Sequence, residues 1–158
     1  MNWEEIASIA IPVVIIGGLF AIAFTRDKRI HAALRAFAKK HGLRFTEAQL
    51  AKGVLPRGEG KVGGKALYAG YTWITPFTEG IGPTYGGRSV VVVALTIGST
   101  AGIDREAPAV REFLQSYGSL TDSAITYAFP RRYFRAITGK ELDAAFALVR
   151  QVAATLKK

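Results

Sequence analysis

The chain has no cysteine and a single methionine among its 158 residues. It therefore has no disulfide framework, no thiolate metal site and no cysteine nucleophile. That absence suits a reducing compartment. Histidine is almost as scarce: His31 and His41 stand ten apart, which matches no metal-ligand spacing, and Asp27 is the one acid near either in sequence. A surface position is the better reading for both. Positive charge is missing from the front of the chain, with no Lys or Arg before Arg26 and only Glu4 and Glu5 of the 12 acids. The net charge of +9 is thus unevenly placed: from Thr25 onward, 21 basic residues less 10 acidic ones leave +11. A body so charged is drawn to anionic surfaces, whether lipid headgroups, nucleic acid or an acidic protein.

Motifs for chemistry are also missing. No G-x-S-x-G pattern occurs, and neither histidine has an orienting context for a nucleophile. The Gly-rich stretch "KGVLPRGEGKVGGK" fails the phosphate-loop pattern. Gly64-Lys65 is followed by Ala66 rather than a hydroxyl residue, and the position five before Gly64 is Glu59. A hairpin or surface loop is the expected structure there. Asp104, Glu106 and Glu112 are near one another, but paired carboxylates need a shared buried site to do acid–base work. Here they flank a helix start, where acids favour the dipole. The expectation is a non-enzymatic protein with no catalytic residue, cofactor site or metal site.

What is present is an apolar run. Ile6 to Thr25 is 20 residues without a charge, and a helix of that length spans roughly 30 Å, the depth of a bilayer core. Ala21 and Ala23 offer an A-x-A-like cut site, but an export signal begins with basic residues, and here the basic residues follow the run. A retained transmembrane helix is the preferred reading; a cleaved signal and a buried soluble helix are the alternatives. Arg26, Lys28 and Arg29 follow the run directly, so the C-terminal side is expected to stay cytoplasmic, with the N-terminus outside and Trp3 near the far headgroups. Gly17 and Ala21 are four apart with Gly18 beside them, a spacing that lets another helix approach closely. Pro12 is tolerated in such a helix and can bend it.

The remainder, residues 26–158, reads as one basic cytoplasmic domain. "DKRIHAALRAFAKKHG" is an amphipathic helix from about Lys28 to His41. Ile30, Leu34, Phe37, Ala38 and His41 lie on one side, and Lys28, Arg29, Arg35, Lys39 and Lys40 on the other. Gly42 terminates it. Strands are expected at Leu43–Thr46, Lys65–Thr75, Ser89–Gly98 and over "SAITYAF". The "SVVVVALTIG" strand is apolar on both faces and should be central and covered on both sides. The aromatic-bearing connection over 76–88 is either a hairpin tip folded back on the domain or a contact surface. "APAVREFLQSYG" is a helix with Pro108 in its first turn, a buried stripe of Val110, Phe113, Leu114 and Tyr117, and Gly118 as its end. The last helix opens on a capping box, Thr138 with Glu141. The fold class is α+β: one N-terminal transmembrane helix, then a small, mainly antiparallel sheet packed with helices.

"FPRRYFR" is the sharpest cluster in the domain, with Arg131, Arg132 and Arg135 interleaved with Tyr133 and Phe134. Arginines grip phosphate or carboxylate with paired donors, and aromatics stack on bases. No recognisable nucleic-acid module accompanies them, so a solvated strand end, or contact to an acidic protein or lipid headgroup, is a better reading than nucleic acid. "LRAFAKKHGLRF" after a membrane helix, then "VVVVALTI", then "FPRRYFRAIT", resembles single-pass bacterial membrane proteins of uncharacterised activity. In these, a helix ending in a basic-Gly-aromatic turn leads into a small cytosolic α/β domain. The resemblance implies the bacterial inner membrane and carries over no functional residue.

The functional expectation is an accessory subunit of a larger integral membrane complex, capping its cytoplasmic side; a respiratory or photosynthetic complex is the kind of host that recruits such subunits. Gly17, Gly18 and Ala21 would pack on integral membrane subunits. Arg26, Lys28, Arg29, Lys39, Lys40, Arg131, Arg132 and Arg135 would meet anionic lipid headgroups or acidic protein. The alternative is a freestanding anchored domain that binds an anionic cytosolic ligand or an acidic protein.

Overall fold

The structure, a computed structural model, describes residues 3–49, 54–74, 88–129 and 135–156; for 3–9, 73–74 and 88–89 it describes the backbone alone. The chain opens with one helix, α1, running unbroken from Trp3 to Lys40 through Pro12. At 38 residues it is roughly 57 Å long. Sequence periodicity gave two helices here, one apolar and one amphipathic. They are joined because nothing between Thr25 and Lys28 breaks a helix: Arg26 and Asp27 pair side by side at 2.8 Å and remain helical. The helix ends where Gly42 takes a left-handed φ of +66°, a conformation that glycine enters freely.

Beyond α1 lie strands β1 (Arg44–Thr46), β2 (Arg57–Val62), β3 (Lys65–Ile74) and β4 (Arg88–Thr96). Helix α2 (Pro108–Gln115) is followed by β5 (Gly118–Leu120), β6 (Ala124–Ala128) and helix α3 (Gly139–Ala154). The strands form a six-stranded sheet in the order β1-β2-β3-β4-β6-β5, every pairing antiparallel. The fold is α+β.

The register places Leu67, Ala69 and Tyr71 of β3 opposite Leu95, Val93 and Val91 of β4, and Ile125 and Tyr127 of β6 opposite Leu95 and Val93. These side chains share the face against which the helices pack. The lower part of α1 contributes Ile30, Leu34, Phe37 and Ala38 to that core, and α3 contributes Leu142, Ala145, Phe146, Val149 and Val152. Phe37 meets Phe146 edge-on, centroids 6.0 Å apart. Thr138 caps α3: its hydroxyl accepts from the Glu141 N–H, and the Glu141 carboxylate accepts from the Thr138 N–H at 2.9 Å.

β4 is central, as its apolar sequence implies. On its second face Val92 is buried, while Val90 and Ala94 are half-buried. No helix among the described residues lies over that second face. Of the hairpin or surface loop expected over the Gly-rich stretch, the structure has the hairpin, with β2 paired to β3. Gly58 and Gly60 of β2 lie opposite Ala69 and Leu67 on the helix-facing side. A Cβ on Gly58 would sit 2.9 Å from the Ala38 Cβ, and one on Gly60 would sit 3.0 Å from Leu43. Glycine is there so that α1 and the chain leaving it can approach the sheet, not because the backbone turns. Gly63 and Gly64, with φ of +58° and +77°, form the two-residue turn from β2 to β3.

The stripe expected on α2 is only half correct. Val110 and Phe113 are buried, but Leu114 and Tyr117 are 38% and 54% exposed. The helix stops at Gln115, two residues short of Tyr117, and the chain turns into β5 at Gly118. Gly118 does not take a left-handed conformation; a Cβ there would collide with the Phe113 ring and carbonyl. Both histidines, expected at the surface, are half-buried instead.

Candidate membrane anchor and basic face

The upper part of α1 is uncovered. Nine large apolar side chains from Ile11 to Phe24 are exposed, from 44% at Ile22 to 73% at Phe20. No residue of its most apolar window is buried within the chain. The run is therefore not part of this chain's core, and α1 is long and apolar enough to cross a membrane. Gly17 and Gly18 have open space where a Cβ would point, nothing lying within 4 Å, and Ala21 is exposed.

Charge begins where the apolar run ends. Thr25 donates its hydroxyl to the Ala21 carbonyl at 2.7 Å, keeping that polar group within the helix. The Arg26 guanidinium, only 19% exposed, donates from two nitrogens to Asp27 Oδ1 at 2.8 and 3.1 Å. Lys28 reaches back over the Phe24 ring, 4.4 Å from its centroid, a contact by which a cation covers apolar surface at a helix boundary. One turn on, His31 meets the Tyr71 ring edge-on at 6.1 Å. Burial, with the Asp27 charge, pushes the Tyr71 phenol up to about 12, against a smaller opposing effect of Arg26. The phenol is thus neutral at every physiological pH.

These contacts orient the sheet. Tyr71 is near the end of β3, so Ile74 and its partner Arg88 lie at the end of the sheet on which α1 enters from its apolar part. Phe129, which follows β6, bonds to Val91 near the same end, and Ala136 lies beside Ile22, Thr25 and Arg26. The topology therefore carries Arg135 to the charged end of the apolar run, some hundred residues after Arg26. Arg135 is exposed, 3.6 Å from Glu141. Lys28, Arg29, Arg35, Lys39 and Lys40 all project from the exposed side of α1, as the periodicity predicts. Arg35 is paired with Glu47. Arg131, Arg132 and most of the 76–88 connection lie outside the described residues.

At the far end of α1's packed segment, Lys40 and His41 converge on Asp143 of α3, at 2.7 and 3.1 Å. His41 packs tilted against Phe37 and edge-on against Phe146, with centroids 4.4 and 4.9 Å away. The Lys40 hydrogen bond, then that of His41, holds the Asp143 carboxyl below its usual range, with slight burial opposing. Sequence gave no sign of this cluster, because its acid lies 102 residues from its histidine. It closes α1 on α3.

Asp104 accepts a hydrogen bond from the Glu106 N–H at 3.0 Å, and Glu106 pairs with Arg111. Asp104 and Glu106 therefore do local structural work at the start of α2. Among the described residues, no three of His, Asp and Glu come together as metal ligands. A concavity of about 330 Å³ lies between α3 and the β2–β3 hairpin, with Lys65 and Arg150 at its sides and Val62, Leu95 and Phe146 beneath. Compared with models of protein families, with curated proteins and with solved structures, the chain matches none.

Proposed function

We propose that this protein is a single-pass, non-enzymatic accessory subunit of a larger integral membrane complex in the bacterial inner membrane, its basic domain capping the cytoplasmic side. The observation that carries this reading is the unbroken α1: uncovered apolar side chains above, buried core side chains below, with a charged boundary between them. The A-x-A-like site at Ala21 and Ala23 lies within this helix, which favours retention over cleavage. The open face at Gly17, Gly18 and Ala21 offers a partner helix close approach. Arg26, Lys28, Arg29 and Arg135, gathered at the boundary, favour the anionic leaflet on the domain's side, where each cation contributes about 1 kcal/mol.

Solubilisation in mild detergent followed by affinity capture and identification of partners tests the proposal. The expected result is stoichiometric recovery with integral membrane subunits, lost on Gly17→Leu/Gly18→Leu. Recovery as a free monomer, with that double substitution harmless, refutes it. One observation favours a second reading, a freestanding anchored domain holding an anionic cytosolic ligand: the concavity between Lys65 and Arg150. Under that reading the monomer is the functional form, and Arg150→Glu, not Gly17→Leu, abolishes its role.

A further inference from the structure

A side cavity of about 290 Å³ opens where α1 leaves the domain, lined by Ala21, Ile22, Thr25, Arg26, Arg29 and Ala136. The five helix residues recur at intervals of three, four and one, so they share one face. Ala136, on the segment leading to α3, forms the opposite wall. The lining is divided by height along the helix. Ala21 and Ile22 lie inside the uncharged run, one turn above Thr25, while Arg26 and Arg29 lie at and below its end. The Thr25 hydroxyl hydrogen is used on Ala21, which leaves the two guanidiniums as the donors. Arg26 is held by Asp27. Arg29 is exposed and has no ion pair among the described residues. The site thus carries one compensated and one uncompensated cation beneath an apolar upper wall.

We infer that this cavity binds one anionic phospholipid, its phosphate on Arg29 and Arg26 and the root of an acyl chain against Ala21 and Ile22. The inference rests on the anchored reading given above. A guanidinium pair suits any phosphate. The apolar wall at bilayer depth is what selects a lipid over free phosphate, because a soluble anion leaves that wall bare.

The test uses the full chain, purified in neutral detergent and examined by native mass spectrometry while phosphatidylglycerol, phosphatidylcholine or inorganic phosphate is added. One phosphatidylglycerol is expected to stay bound in preference to phosphatidylcholine. Arg29→Gln should weaken its retention by about fivefold. Ala136→Trp, which fills the cavity without changing charge, should abolish it. Arg35→Gln removes the same charge from the exposed side of α1 outside the cavity and should leave retention unchanged. Equal losses in the Arg29 and Arg35 variants, or full retention in Ala136→Trp, would mean general charge attraction and overturn the site. Displacement of the lipid by inorganic phosphate at comparable concentration would overturn the lipid assignment. Fractionation separates the two readings. Release of the chain from membranes by alkaline carbonate overturns the anchor and the site together, whereas a chain that stays in the membrane but shows no selective lipid loses the site alone.

Discussion

Moving one methyl group across the contact between α1 and β2 should reveal how closely α1 is fitted to the sheet. In Gly58→Ala the new Cβ lies 2.9 Å from the Ala38 Cβ, against about 3.5–4.0 Å for unstrained carbon atoms. Overpacking of this kind costs about 1–3 kcal/mol. Reduced freedom of the unfolded chain returns about 0.4–1 kcal/mol, so the net loss is about 1–2 kcal/mol. Ala38→Gly alone sacrifices a buried methyl, ~0.8 kcal/mol, and places glycine inside a helix, ~1 kcal/mol, together about 2 kcal/mol. In the double variant the methyl on residue 58 occupies the space vacated at 38, so the overpacking vanishes and the burial is restored. The double variant keeps the helix glycine (~1 kcal/mol) and the ~0.4–1 kcal/mol returned at residue 58, so it should lose only ~0–0.6 kcal/mol, about 3 kcal/mol better than the sum of the singles. Urea unfolding of the full chain in neutral detergent, followed by circular dichroism, measures all four corners of the cycle. Additivity within ~0.5 kcal/mol would refute the reasoning and show that Gly58 is not where α1 is seated.

Two further outcomes follow from the charged and phenolic groups along α1. The Asp143 carboxyl is held low in the folded state, so its contribution is present above the ordinary carboxylate range and is lost as pH falls through the lowered folded value. Asp143→Asn should remove that acid-side dependence from urea-unfolding profiles, with a loss at neutral pH of no more than about 1 kcal/mol because the pair is largely solvent-exposed. Tyr71 titrates near 12 when folded, against 10.0 ordinarily. Its raised value means that stability is unaffected below pH 10 and declines between 10 and 12. Ultraviolet difference titration should show a late phenolate step that disappears in Tyr71→Phe.

Much of the fold is legible in the sequence where one physical signal acts alone. The apolar run, the Val-rich β4, the capping box of α3 and the exposed cationic side of α1 each announce themselves through periodicity or local chemistry. Where two causes share one residue type, the reading fails. Gly58 and Gly60 look like turn residues, yet their role is steric, set by Ala38 and Leu43 from another element. Tyr117 has helical spacing, but the chain leaves α2 before reaching it; Leu114, inside the helix, is exposed all the same. Asp143 and His41 are unremarkable singly and meet only because α3 folds back onto the end of α1. The candidate lipid cavity is similar: Arg26 and Arg29 are visible as a basic flank, but the wall at Ala136 is a product of the tertiary fold.

Because α1 passes from its uncovered apolar part into the domain without interruption, the two share one azimuth. Inserting a single residue between Ala23 and Arg26 would swing the domain by about 100° and shift it by about 1.5 Å along the axis, whereas seven would return it to within about 20° of its starting phase. The small-residue side at Gly18 and the arginine at position 29 are eleven residues apart, roughly three full turns, so they look out in nearly the same direction. Whatever the upper half of the shaft docks against therefore dictates the compass bearing of the globular part below.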